Sequence, residues 1–359
     1  MKSVFLVKTP LQLLNAIEAR HHYRLHKDDC VLILMADRKS QAQLRNLANV
    51  VEEWGYVADL NHVPLLFSKP LRKQGATGLL DKFWKFKLFS KSLFYVPRLN
   101  RIRRQLGEVN YFFVGYARYS YMKHLVNITP HKCVVALDDG NATIQLVKER
   151  NDATVNISNN TFSKRIKSYL KQHVQAIKLD DYKRLEFFTI YDVEPGERDT
   201  VVKNSFSYLH DKSASLEVTK KVYFIGSPIA ETGILAQYEY LDHLKRVKSY
   251  YKGKELVYIT HRREKPENLS AIYEKLGLNV VQFDYPIEYQ LAVIGPRPLI
   301  IASFISSALD SCGLIFGDTM QIVSFKLDLS NSPDRERIEL IYQTYKSNKN
   351  GNIKVEENY

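Results

Sequence analysis

Four short stretches of this chain carry side chains that could do chemistry, and each follows a run that reads as a β-strand. Leu137-Asp138-Asp139-Gly140 presents two adjacent carboxylates after the apolar run Cys133–Leu137. Thr260-His261-Arg262-Arg263-Glu264 places an imidazole and two guanidinium groups after Glu255–Ile259, and Pro286-Ile287-Glu288 supplies a further acid. Ser303 and Ser306-Ser307-Ala308-Leu309 follow Leu299–Ala302. Each has an ordinary reading: an Asp-Gly turn is a common solvated turn, and Ser-Ser opening a helix is first of all a capping pair. Together they form a coherent set. Hydroxyls and free N–H groups at the helix start around Ser306-Ser307 suit an anion, and His261 with Arg262 suits a phosphate. Glu288 suits ribose hydroxyls, and an aspartate could take a proton from a hydroxyl nucleophile. The chain has no Walker A sequence and no Gly-x-Gly-x-x-Gly, and Asp138-Asp139 lacks a partnering carboxylate cluster, so no metal site is expected.

The elements that must position these residues are strands alternating with helices. Ser3–Val7, Val31–Met35, Gly55–Leu60, Tyr111–Val114 and Cys133–Leu137 read as strands of one sheet, with Thr9-Pro10 as N-cap and first position of the first helix. A second series starts at Val222–Ile225 and continues through Glu255–Ile259, Val280–Phe283 and Leu299–Ala302, with helices near 239–250, 267–275 and 305–312. Asp334–Tyr345 reads as a terminal helix, followed by a tail whose polarity predicts looseness. This is the pattern of an α/β protein with two mostly parallel, Rossmann-like sheets. The expected boundaries are 1–215, 216–330 and a terminal helix and tail at 331–359. Functional side chains at successive strand ends would converge on one crevice.

At 359 residues the chain suits two domains, and 45% hydrophobic with 25% charged residues is the composition of a folded globular protein. Cys30, Cys133 and Cys312 match neither a zinc spacing nor a disulfide framework, which points to a reducing cytoplasm. The apolar run at the N-terminus is too short for a signal peptide, and no uncharged run reaches membrane-spanning length. The net charge of +13 is concentrated: residues 69–104 hold eleven Lys and Arg against Asp81 alone, a net of +10. Within that segment Phe83, Trp84, Phe86 and Phe89 interleave with lysines. It reads either as an ordinary helix packed on the first lobe or as an interfacial element for an anionic membrane, peripheral on the inner face. Nucleic acid is the lesser partner, since no RNP-type, zinc-finger or helix-turn-helix signature occurs.

Asp-Asp-Gly in the first half, then a strand-end histidine, a glutamate and a Ser-Ser pair, in that order, resembles the bacterial sialyltransferases and polysialyltransferases, glycosyltransferase families 52, 38 and 80 and their relatives. The opening Val7-Lys8-Thr9-Pro10-Leu11-Gln12 is also similar to the N-terminus of the polysialyltransferase and lipooligosaccharide sialyltransferase groups. The motifs cover about thirty residues, though their order spans most of the chain. The resemblance implies a GT-B fold, two Rossmann-like domains facing a central cleft. It implies inverting, metal-independent transfer of sialic acid or a related nonulosonic acid from a CMP-activated donor to a sugar hydroxyl. The acceptor would be a cell-surface glycan or glycolipid of capsule, lipooligosaccharide or O-antigen, and no cofactor is needed. It assigns Asp138 as general base, His261 to the CMP phosphate and its departure, Ser306 and Ser307 to that phosphate, and Glu288 to the ribose. Arg262 stands where the family usually has proline; its charge could serve the phosphate or the donor carboxylate, or mark a different donor sugar such as a legionaminic, pseudaminic or Kdo-type acid. Asp139 is the second candidate base, Gly140 shapes the turn, and Thr9, Gln12, Tyr116 and Arg118 are candidate lining residues. The other readings are a GT-B transferase of a different nucleotide sugar and, below it, a basic nucleic-acid-binding protein.

Overall fold

The computed structural model describes residues 1–35, 41–51, 53–60, 95–152, 176–330, 332–347 and 352–359. The chain divides between Asn204 and Ser205 into two compact units, each built on one parallel sheet. Parallel sheets need both faces covered, which explains why their central strands are apolar throughout instead of alternating.

In the first unit the strands β1 (Lys2–Val7), β2 (Cys30–Leu34), β3 (Tyr56–Asp59), β4 (Val109–Val114), β5 (His131–Leu137), β6 (Glu186–Thr189) and β7 (Thr200–Lys203) stand in the order β3-β2-β1-β4-β5-β6-β7. All pair in parallel. Val4, Leu6, Phe112, Val114 and Ala136 pack into one core with Leu99, Met122 and Leu125 from the covering helices. The first helix, α1 (Pro10–His22), begins where its sequence says it should: Thr9 is extended and its side chain accepts from the Gln12 N–H, while Pro10 occupies the first turn.

The second unit contains β8 (Val218–Ile225), β9 (Leu256–Ile259), β10 (Asn279–Val281), β11 (Arg297–Ser303), β12 (Gln321–Phe325) and β13 (Ile353–Glu356), ordered β10-β9-β8-β11-β12-β13. Ile259, Ile225, Ser303 and Ser324 lie side by side in register, so four strands finish along one edge. Two Rossmann-like α/β units in tandem are the plan of a GT-B fold.

Several elements go beyond the sequence reading. The polar stretch from 150 to 215 reads as the end of the first domain plus a connection, and β6 and β7 extend the first sheet there; two buried phenylalanines, Phe187 and Phe188, are all the apolar signal β6 offers. After Gly140 ends the strand, the helix Asn141–Asn151 follows. The helix Ser207–Ser213 belongs to the second unit, with Leu209 buried and His210 Nδ1 2.7 Å from the Ile315 carbonyl. The polar tail is not loose over 352–359. It forms the edge strand β13 beside β12, and the Tyr359 hydroxyl bonds His243 Nδ1 at 2.7 Å and the Lys326 carbonyl at 3.0 Å. Backbone pairing, which polar composition does not reveal, holds it. Most of the basic segment, residues 69–94 with its aromatic run, lies outside the described residues; 95–106 are helical, with Tyr95 and Leu99 buried.

Candidate functional site

In each unit the strand order reverses once, between β1 and β4 in the first and between β8 and β11 in the second. Open α/β sheets bind ligands at such points, outside the carboxyl ends of the strands. The residues singled out from the sequence fall at these two places.

In the first unit the two adjacent aspartates have opposite environments. Asp138 is 3% exposed, and its carboxylate accepts four hydrogen bonds. The Gly140 N–H and the Thr143 hydroxyl reach Oδ1, both at 2.9 Å, while the Thr189 hydroxyl at 2.9 Å and the Ile190 N–H at 3.1 Å reach Oδ2. A carboxylate offers about four lone-pair positions, so this one is saturated. It ties the turn after β5 to the end of β6. Gly140 makes the turn possible with φ +65°, a conformation that a side chain disfavours although nothing lies within 4 Å of where a Cβ would stand.

Asp139 points elsewhere. It is half-buried on the wall of a narrow recess formed with Gly115, Tyr116, Arg118, Thr143 and Phe187. One carboxylate oxygen accepts from Gln12 Nε2 at 2.8 Å. Gln12 is itself fixed, because its Oε1 accepts from the Lys8 N–H at 2.8 Å and a Cβ on Gly115 would stand 2.4 Å from that oxygen. Lys8 Nζ lies 4.1 Å from the Tyr119 ring centre, and Arg118 pairs with Glu149 at 2.9 Å. Burial raises the Asp139 carboxyl above its usual range, the Gln12 hydrogen bond opposes this, and the neighbouring Asp138 charge adds to it. A partly buried carboxylate oriented by one amide, its proton affinity raised, is equipped to accept a proton. Asn15 supports the pair from beneath, donating to the Asp138 carbonyl at 3.0 Å and accepting from Asn204 at 3.0 Å.

In the second unit His261 begins a tight turn after β9. The Arg263 N–H donates to His261 Nδ1 at 3.2 Å, which leaves Nε2 as the protonated donor of the neutral ring. Burial lowers the imidazole from its ordinary value, and the Arg262 and Arg263 charges lower it further. Arg262 is exposed. Across the reversal, Ser306 caps the helix Ser307–Phe316 by accepting from the Ala308 N–H at 3.3 Å, and Ser307 is exposed at its first position. The Tyr345 hydroxyl clamps this start, accepting from the Ser306 N–H at 3.2 Å and donating to the Ser306 carbonyl at 3.0 Å. Glu288 is only 8% exposed and accepts from Ser311 Oγ at 2.7 Å, so it is anchored to the same helix. Ser303 is fully buried and donates to the Ile225 carbonyl at 2.8 Å, a link within the sheet. The Ser227 hydroxyl donates to the Ile305 carbonyl at 2.6 Å and joins the loops on either side of the reversal.

Thr189, Gly115, Tyr345 and Ser311 have no individual signal in the sequence, because each acts on a partner far along the chain. Thr143 alone lies close enough to Asp138 that a capping spacing could have flagged it. Among the described residues, no group of three or more His, Cys, Asp or Glu side chains is arranged to hold a metal ion.

No protein-family model matches the chain, and no curated protein matches it in sequence. Among solved structures it is similar to the GT-B domain of a sialyltransferase from Photobacterium damselae, at 12% identity over 99% of this chain and 100% of that one, with a TM-score of 0.46. It is also similar to MurG of Acinetobacter baumannii, at 9% identity over 99% of this chain and 86% of the other, TM-score 0.39. A UDP-GlcNAc 2-epimerase from Neisseria meningitidis gives 11% identity over 99% and 95% of the two chains, TM-score 0.44. Likeness at this level assigns no activity; the class defined by the two sheets themselves is a tandem Rossmann-like, GT-B-type α/β protein.

Proposed function

We propose that the chain is a nucleotide-sugar-dependent glycosyltransferase and that its donor is a CMP-activated nonulosonic acid, sialic acid or a relative. The observation that carries this reading is the pair of neighbouring aspartates after β5. Burial raises both carboxyls, but one is saturated with hydrogen bonds and the other is held through one oxygen by Gln12 on the wall of the recess. In this reading the general base is Asp139, and Asp138 shapes the turn that presents it.

The step is an inverting displacement. The Asp139 carboxylate takes the proton of an acceptor sugar hydroxyl as that oxygen attacks the anomeric carbon of the donor. The bond from that carbon to the CMP phosphate breaks, and its electron pair leaves on the phosphate oxygen. In the second unit, His261 Nε2–H and the exposed Ser307 hydroxyl are the donors suited to a phosphate on which charge develops. Glu288 would accept from ribose hydroxyls, for which its bond to Ser311 must open or be shared. The basic segment at 69–104 would hold the protein on an anionic surface where a glycolipid acceptor lies.

Asp139→Asn tests the assignment. Transfer from a CMP-nonulosonate to a glycan panel, read by mass spectrometry, should fall at least about 100-fold while CMP affinity stays nearly unchanged. An equal loss in Asp138→Asn alone, with Asp139→Asn active, would return the base to Asp138. The second reading is a GT-B transferase that uses a different nucleotide sugar. A thermal-shift series with CMP, UMP, GMP and AMP separates the two, since binding at a hundredfold excess over Kd stabilises by about 2.7 kcal/mol. Stabilisation by UMP and not CMP would replace the donor.

A further inference from the structure

Beneath His261 lies a buried polar chain to which the proposed reaction gives no role. Glu264 closes the turn that His261 opens: its N–H donates to the His261 carbonyl at 2.9 Å, and its Oε2 accepts from the His261 N–H at 2.6 Å. The other carboxylate oxygen accepts from the Tyr258 hydroxyl, which stands 2.7 Å from the Tyr240 hydroxyl, and both tyrosines are buried. This group sits against the strand-order reversal. A Cβ on Gly226, the residue after β8, would lie 2.6 Å from both Glu264 Oε2 and the Tyr258 hydroxyl, so the carboxylate packs directly on the backbone. A second acid, Glu231, faces it from the loop after β8 and anchors the following segment by accepting from the Lys265 N–H at 2.9 Å and Asn268 Nδ2 at 2.6 Å.

We propose that Glu264 is a positioning residue: through Tyr258, Tyr240 and the Gly226 notch it holds the His261 turn so that Nε2–H faces outward to the nucleotide phosphate. The inference rests on the proposed donor site. Three features of the chain support it. The carboxylate bonds the backbone of His261 itself, and it is the hinge between that turn and two buried side chains. The Arg263 N–H that selects the His261 tautomer also lies inside the turn Glu264 closes. Burial, with Glu231 adding to it, pushes the Glu264 carboxyl up to about 7, while Tyr258 and the His261 N–H pull the other way. The turn is therefore held by a group that changes charge near neutrality, with Glu231, Tyr258, Tyr240 and His261 as the titratable groups around it.

The test uses the full chain, CMP as ligand, and NMR of the histidine ring nitrogens. Glu264→Ala should weaken CMP binding about tenfold and shift the His261 Nδ1 and Nε2 resonances in the free protein. Glu264→Gln keeps an acceptor for the His261 N–H, so it should retain affinity. It should also remove a second inflection near pH 7 from the His261 titration. His261→Ala is the control for the donor site. If His261→Ala loses CMP binding and a folded Glu264→Ala does not, the positioning role is wrong. If His261→Ala binds CMP normally, the donor-site reading fails, and the ring resonances of Glu264→Ala still decide whether the turn is held. Should Glu264→Ala not fold, the Glu264→Gln titration decides: an unchanged His261 curve overturns the proposal.

Discussion

The two aspartates after β5 illustrate how one residue type serves two purposes. Asp138 is deeply buried, and such a charge is costly unless every lone pair is engaged. Gly140, Thr143, Thr189 and Ile190 engage them all. Asp138→Ala would strand these donors, and we expect a loss of about 2–4 kcal/mol in denaturant unfolding. Asp139→Asn should cost less than about 1 kcal/mol, because burial opposes the charge it loses and the amide can keep a hydrogen bond to Gln12. Equal destabilisation by the two would erase the distinction drawn between them. Glu264 carries a pH prediction. Its folded-state value of about 7 lies above its ordinary 4.5, so the folded chain retains a proton that the unfolded chain has released between those values. The associated stability is present below about pH 4.5 and is lost as pH rises through about 7. The denaturation midpoint should drop across that window in the wild-type chain, and the drop should shrink in Glu264→Gln.

Among the elements, the helix Ser307–Phe316 depends on a distant one for its start. Ser306 supplies the local cap, but the Tyr345 hydroxyl, on the helix Arg335–Ser347, holds both the Ser306 N–H and its carbonyl. Tyr345→Phe keeps the ring packing and removes both bonds. It should cost about 1 kcal/mol and loosen CMP binding, measured by calorimetry. Unchanged affinity would detach the helix start from the anion site. In the first unit the close approach of Gln12 to Gly115 plays the same part between α1 and β4. Gly115→Ala would push Gln12 away from Asp139, so transfer should fall more than stability does.

At the scale of the molecule, the second sheet is completed by the segment that composition marks as a tail. Deleting 352–359 would bare the edge of β12 and remove Tyr359 from His243 and Lys326. The thermal midpoint should fall by several degrees, and an unchanged midpoint would mean that β13 adds nothing to the sheet. Charge is the other global property: of +13, a net of +10 falls within 69–104. Flotation with anionic liposomes should show binding that weakens as salt rises, because exposed charge is screened over about 8 Å at physiological ionic strength. Binding indifferent to salt and to lipid charge would end the membrane reading. Among the described residues no helix is long and apolar enough to cross a membrane.

The strands and most helices were legible because hydrophobic runs and caps are local. Ser3–Val7, Cys133–Leu137, the Thr9-Pro10 start and the Ser306-Ser307 cap all announce themselves within a few residues. β6, β7 and β13 did not, because an edge strand or a strand with two buried apolar residues is stabilised by its neighbour more than by its own apolar content. The sequence by itself determined that this is a two-sheet α/β chain with chemistry-bearing residues at its strand ends. It also placed an Asp-Asp-Gly turn after the fifth strand. Which aspartate is occupied, which is presented, and that Glu264 lies under His261 were decided only by tertiary structure. Those properties depend on the desolvation and hydrogen-bond partners that folding brings from far along the chain: Thr189 to Asp138, Gln12 to Asp139, and Gly226 to Glu264.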